Sequence, residues 1–203
     1  MKTRIAVLVS GGGTNLQALI DAQARGEIPD GEIVLVVSNN EGAYALERAA
    51  KAGIPTAVCL RPKGTPRADF EARLTAILRE NKIEMIILAG FMSILSADFV
   101  ANWPERIINI HPSLIPSFCG EGFYGLRVHE AALSYGVKVT GATVHYVNEI
   151  PDGGRIIAQK AVEIQEGDTP EILQRRVMEQ AEWILLPKAA EIVSKRLRTE
   201  ARA

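Results

Sequence analysis

Five short apolar runs, each separated from the next by an amphipathic stretch, constrain this chain more than any other feature. They cover 4–10 (RIAVLVS), 31–40, 54–60, 83–91 and 106–111 (RIINIH). Each is too short for a helix core, rich in Ile and Val, and bounded by glycine, proline or asparagine, which reads as a buried strand. Between them lie helical patterns at 14–26, 43–53 and 67–81, with Phe70, Leu74, Ile77 and Leu78 on one face of the third, and a short helix at 96–100. Thr14 is expected to cap the first helix, with Gln17 completing a capping box and Gly26 ending it. Strands that alternate with helices demand right-handed crossovers and a parallel sheet covered on both faces. The fold class is therefore α/β, a Rossmann-like, mostly parallel sheet.

After residue 111 the alternation stops. A short helix is expected at 128–136, then a hairpin of 137–148, patterned like an exposed-edge strand, and 153–164, joined by EIPDGG. A long C-terminal helix follows over 169–197, with Thr169 as its cap, Pro170 at its first position and a kink at Pro187. The absence of repeats or an interdomain linker predicts one domain over 1–203, with a phosphate-binding half at about 1–100 and a catalytic half at about 101–203.

Charge and cysteine content narrow the function classes. The chain carries 23 basic and 24 acidic residues, a formal net charge of -1, which offers no patch for nucleic acid or a membrane surface. Cys59 and Cys119 lack metal-ligand spacing and read as reduced thiols of a cytoplasmic protein. The apolar run from Ile5 to Val9 is too short for a signal peptide, and no run approaches the ~20 apolar residues of a membrane span.

In parallel sheets, ligands bind beyond the carboxyl ends of the strands. That rule gathers 10–15, 38–40, 90–95 and 109–116 at one rim. SGGGTN (10–15) follows the first strand and opens the first helix, where free N–H groups and the helix dipole favour an anion. A dinucleotide fingerprint would need glycine at Leu16 and an acidic residue where Ser38, Asn39 and Asn40 stand, and a Walker loop would need G-K-[ST]. The loop thus reads as a phosphate cradle for something smaller than NAD; the alternative is a tight turn with no ligand. In INIHPSLIPSF (108–118), Asn109 and His111 project to one side of a strand end, framed by Pro112 and Pro116. An amide can donate to an oxyanion and an imidazole can move protons near neutral pH. The alternative is a pair that satisfies local backbone groups. Asp152, in the hairpin loop, would raise the His111 pKa if it folded back over the rim. Asp-Gly is also ordinary turn chemistry, and spacing alone favours that reading. Thr143 and His145 alternate on one strand face, as a substrate contact and a core histidine; His129 reads as structural. None of the three histidines has metal spacing.

SGGGTNLQAL, LAGFMSIL, NIHPSLIPSF and PDGGRII stand in the order found in glycinamide ribonucleotide formyltransferases, and the chain resembles that family from about residue 4 to 190. The resemblance implies a metal-free transfer of a formyl group from 10-formyltetrahydrofolate to the amine of glycinamide ribonucleotide (phosphoribosylglycinamide), a step of purine synthesis. It implies catalysis by Asn109, His111 and Asp152. It puts the ribonucleotide on Gly13, Thr14, Asn15, Glu179 and Glu182. The folate falls on Arg67, Met92, Ser93, Ile94, Leu95, Asn109 and the backbone of Asn148, Glu149, Ile150, Pro151 and Asp152. Gly12, Trp183 and the long segment 119–127 depart from the common pattern; the last is expected to form a lid or a dimer surface. A monomer or homodimer is expected. Methionyl-tRNA formyltransferase would need a further C-terminal domain and a basic surface, and formyltetrahydrofolate hydrolase an N-terminal regulatory domain. A non-catalytic nucleotide-binding module is the rival from another class.

Overall fold

The computed structural model describes residues 1–201. Five strands run parallel: β1 (Thr3–Val9), β2 (Gly31–Ser38), β3 (Thr56–Val58), β4 (Met85–Leu88) and β5 (Ile107–His111). Two more, β6 (Val139–Tyr146) and β7 (Ile156–Glu163), extend the sheet antiparallel, giving the order β3-β2-β1-β4-β5-β6-β7. The order reverses between β1 and β4, so a crevice opens there beyond their carboxyl ends.

The pleat divides the core in two. Ile5, Val7 and Val9 of β1 face α1 (Thr14–Ala24), α2 (Tyr44–Lys51), α6 (Pro170–Val177) and α7 (Trp183–Glu200). Ala6 and Leu8 face α3 (Arg67–Glu80) and α4 (Ala97–Ala101) through Phe70, Leu74, Leu78 and Phe99. Burying each of these large side chains contributes roughly 1.5–3 kcal/mol, the driving force for covering both faces. Helix α5 (Leu126–Tyr135) begins two residues earlier than its periodicity suggested. Strands β1 to β4 end one to three residues inside their apolar runs, because the outer residues leave the ladder for the rim, while β5 runs to His111 as its pattern suggested. Among the described residues, no helix is long and apolar enough to cross a membrane.

Three expectations are corrected. Thr14 does not cap α1: Gly13 holds that position at φ 73, and no side chain caps the helix. A capping side chain needs an extended backbone at the cap, which a left-handed glycine does not provide. Strand β6 is not an edge: it lies between β5 and β7 and is buried from Thr140 onward, while β7, mostly exposed, is the edge. Nor is the C-terminal helix regular from 169 to 197, although Pro187 lies buried inside α7. The break is a π-helical turn at Met178–Glu182. Such wide turns insert a residue into the helical register, and this one buries Glu182 at the rim. Thr169 does cap α6, accepting the Ile172 N–H at 3.3 Å, with Pro170 following.

Candidate active site

Strand β5 carries Asn109 and His111 to the rim on the same side, as period two requires. Opposite them across the antiparallel pairing stand His145 and Thr143. The β6–β7 connection then folds Asp152 back over these residues. Asp152 has φ 55, which Asp tolerates better than most residues, and Gly153 N–H closes the turn on the Ile150 carbonyl at 2.9 Å. At Gly154 a Cβ would lie 1.7 Å from the Tyr146 carbonyl, so only glycine fits.

Asp152 is the hub. One oxygen, Oδ2, lies 3.4 Å from His111 Nδ1 and accepts the Gly120 N–H at 2.9 Å. The other, Oδ1, lies 3.4 Å from Asn109 Nδ2 and 3.5 Å from His145 Nε2. His111 Nε2 meets the Phe118 carbonyl at 2.8 Å, so that nitrogen carries the proton of the neutral ring. Its Nδ1 lone pair then faces the carboxylate, and a proton arriving at Nδ1 would bridge the two. At His145, Nδ1 lies 2.8 Å from the Tyr146 carbonyl, and Nε2 lies 3.3 Å from Asn109 Nδ2 and 3.5 Å from Asp152 Oδ1.

Electrostatics keep the pair apart in charge. Burial pushes the Asp152 carboxyl up, but His145, the neighbouring His111 and the Gly120 N–H outweigh it and hold the group below its ordinary range. For His111 the balance is opposite to the sequence expectation. Asp152 and the Phe118 carbonyl do pull its pKa up, yet burial dominates and lowers it. With 4% of its surface exposed, His111 has little water to solvate a cation. The resting arrangement is an ionised Asp152 beside a neutral His111 ready to take a proton.

At the β1 end of the rim the polar groups left open are peptide units. The three loop carbonyls are all tied backwards. Gly11 O accepts the Ala45 N–H at 3.0 Å, Gly12 O accepts Arg48 Nε–H at 2.8 Å, and Gly13 O accepts the Gln17 N–H at 2.9 Å. In a planar trans peptide the N–H points opposite to the C=O. The N–H groups of Gly12, Gly13 and Thr14 therefore point away from these anchors, and among the described residues none meets a protein acceptor. That is an anion nest at a helix N-terminus. Next to it, Asn15 Nδ2 donates to Glu182 Oε2 at 2.7 Å. Glu182 is buried, and burial pushes its carboxyl up to about 7 against the opposing bond from Asn15.

A cavity of about 620 Å³ extends from the cluster to Asn15 and Glu182, beside the nest, within the roughly 300–1,000 Å³ usual for ligand sites. Its walls include Asn15, Asn109, His111, Asp152 and Glu182 together with Met92, Ser93, Ile94, Leu95 and the turn from Asn148 to Pro151. Met92, Ile94 and Ile150 are more than half exposed there, apolar surface left without a protein partner.

A match to the formyl transferase family model spans residues 3–189. The chain belongs to the formyl transferase family. It is 36% identical over 198 residues to the chloroplastic phosphoribosylglycinamide formyltransferase of Arabidopsis thaliana, covering 97% of this chain and 68% of that one. It is 47% identical over 193 residues to the trifunctional purine biosynthetic protein adenosine-3 of Gallus gallus, covering 95% of this chain but only 18% of that protein's length. Among solved structures, glycinamide ribonucleotide transformylase 1 from Symbiobacterium toebii superposes with a TM-score of 0.88 at 40% identity, over 96% of this chain and 88% of that one.

Four residues named for the site stand outside the large cavity, Gly13 of the loop among them. Arg67 is exposed at the start of α3, and Glu179 is exposed and paired with Arg175 at 2.8 Å. Thr14 turns its hydroxyl toward Met178 Sδ at 3.8 Å. Two participants were missed. His145 was read as a core histidine, because its role depends on the cross-strand partner Asn109. The segment after Cys119 is part of the cavity wall: Gly120 to Gly125 line it, and the Gly120 N–H holds Asp152. Thr143 is no substrate contact. Its hydroxyl donates to the Ser113 carbonyl at 2.7 Å and accepts the Ile115 N–H at 3.1 Å, pinning the proline-framed turn.

Proposed function

We propose that this chain transfers a formyl group from 10-formyltetrahydrofolate to the amine of glycinamide ribonucleotide, giving N-formylglycinamide ribonucleotide and tetrahydrofolate. The observation that carries the reading is a backbone anion nest on the same rim as the Asn109–His111–Asp152 cluster, with Asn15, the residue after the nest, lining the cluster's cavity. The nest takes the ribonucleotide phosphate, helped by Asn15 and Glu182. Met92, Ile94, Leu95 and Ile150 take the pterin-bearing end of the folate, and the turn from Asn148 to Asp152 supplies its polar edge. Arg67 and Glu179 reach the ligands only through movement of exposed side chains.

The substrate amine attacks the formyl carbon and forms a tetrahedral intermediate. Asn109 donates to the oxyanion, a contact worth roughly 10²–10³ in rate. The proton lost by the amine is taken up between His111 Nδ1 and Asp152 Oδ2 and passed to the leaving folate nitrogen. The apolar walls keep water from the formyl carbon. We take residues 1–203 as a single formyltransferase domain, acting in the cytoplasm, where Cys59 and Cys119 would stay reduced. The test is folate absorbance followed with the ribonucleotide supplied or omitted. Turnover should require both substrates. Absence of turnover would sink the reading, and turnover indifferent to the ribonucleotide would assign a formyltetrahydrofolate hydrolase.

A further inference from the structure

Arg48 reaches the glycine loop from a different element, helix α2, on the carbonyl side of the 12–13 peptide. Its Nε–H donates to Gly12 O at 2.8 Å and its Nη1 donates to Gln17 Oε1 at 3.1 Å. The guanidinium also lies over the Tyr44 ring, 5.0 Å from its centroid, which fixes the fork in one plane. Arg48 is not among the residues lining the large cavity. Gly12 and Gly13 do not line it either; the route from Arg48 to an anion on the loop is its bond to Gly12 O, through the 12–13 peptide. A cation on the carbonyl oxygen polarises that peptide and strengthens its N–H as a donor. The same bond settles which way the peptide faces, a choice glycine on both sides would otherwise leave open. Gly13 is held by the same helix: a Cβ there would lie 2.6 Å from Ala45 Cβ.

We propose that Arg48 is a positioning residue for the phosphate subsite. Gripping the Gly12 carbonyl from behind the loop, it aims the Gly13 N–H at the phosphate of the ribonucleotide. The inference rests on the function proposed above, and its consequences are confined to the phosphorylated substrate. In Arg48→Met the KM for glycinamide ribonucleotide should rise about tenfold or more, the loss expected for a charge-assisted bond. Inhibition by inorganic phosphate should weaken by the same factor. The kcat at saturation and the KM for the formyl donor should stay within about twofold.

Arg48→Lys keeps the charge but not the planar Nε–H, so it should recover only a minor part of the loss. Titration of wild type with inorganic phosphate should shift the Gly13 amide resonance, and in Arg48→Met that shift should largely vanish. A folded Arg48→Met with unchanged ribonucleotide KM and unchanged phosphate inhibition overturns the proposal. So does full recovery by lysine, which would make diffuse charge the cause. Should wild type not use the ribonucleotide at all, the functional reading fails instead. The amide titration still decides whether Arg48 shapes the anion nest.

Discussion

The loop after β1 and the cluster after β5 end at the same rim, yet one is made of peptide groups and the other of side chains. In the loop, the groups open to a ligand are N–H groups whose direction is set by tied carbonyls and by one left-handed glycine. In the cluster, each group depends on a neighbour's protonation, with Asp152 touching Asn109, His111, His145 and the Gly120 N–H at once. The difference teaches where each subsite is fragile. A peptide cradle is indifferent to most side-chain chemistry and intolerant of added bulk. A titrating cluster tolerates altered bulk and fails when a single charge is removed.

The sharpest way to break the cluster is Asp152→Asn, nearly isosteric but uncharged. We expect kcat to fall about 10²–10⁴-fold, the range for a lost acid–base partner, with little change in ribonucleotide KM. Removing Asp152 also removes the influence that raises the His111 pKa against burial. The acid limb of the residual pH–rate profile should therefore move to lower pH. Near-normal activity would return Asp152 to the role of a turn residue. Asn109→Ala comes next, at roughly 10²–10³-fold in kcat, and its loss should not be additive with that of Asp152→Asn, since the two side chains share one site. A double-mutant cycle on kcat checks this; independent, multiplying losses would mean the cluster does not act as a unit.

The matching way to break the cradle is Gly13→Ala. The new methyl would meet Ala45 Cβ at 2.6 Å and Cα at 2.9 Å, with the backbone at φ +73. Overpacking of that kind costs about 1–3 kcal/mol, so Tm should drop by roughly 5–10 °C. Ribonucleotide KM should rise while kcat holds. Thr14→Val, by contrast, should be nearly silent, because its hydroxyl meets only Met178 Sδ at 3.8 Å. A large loss of ribonucleotide affinity in Thr14→Val would mean that the cradle uses side chains after all.

The same contrast explains what the sequence made legible. Strands β1 to β5 were readable because a strand buried on both faces is a plain aliphatic run, and the glycine loop because its position after β1 carries its chemistry. Strand β6 was misread as an edge because its alternation, in which Thr143 and His145 stand, was taken as the mark of an exposed edge. Both are buried, serving the Ser113 carbonyl and the cluster. His145 could not be found from either strand alone, since its function lies in the register that pairs it with Asn109. The direction of the His111 shift was misjudged because burial depth is a property of the packed fold. The break before Pro187 was invisible because a π turn has no residue signature as strong as proline.

Glu182 sits where the two subsites meet, and it gives the smallest and most discriminating test. Its carboxyl accepts from Asn15, the residue that follows the cradle, and burial pushes its pKa up to about 7. An unfolded glutamate titrates near 4.3, so between those values the folded protein holds a proton that the unfolded chain does not. Stability from this group is complete below about 4.3 and is lost as pH rises through about 7. The full difference is on the order of 3 kcal/mol. Glu182→Gln cannot ionise, and its amide offers a donor to Asn15 Oδ1, which is buried without a partner among the described residues. The variant should match wild type near pH 5 in urea unfolding and exceed it near pH 8. Its ribonucleotide KM should change only a few-fold, because the cradle's own N–H groups are untouched. Parallel stability curves from pH 5 to 8 would mean that Glu182 is ionised and hydrated throughout.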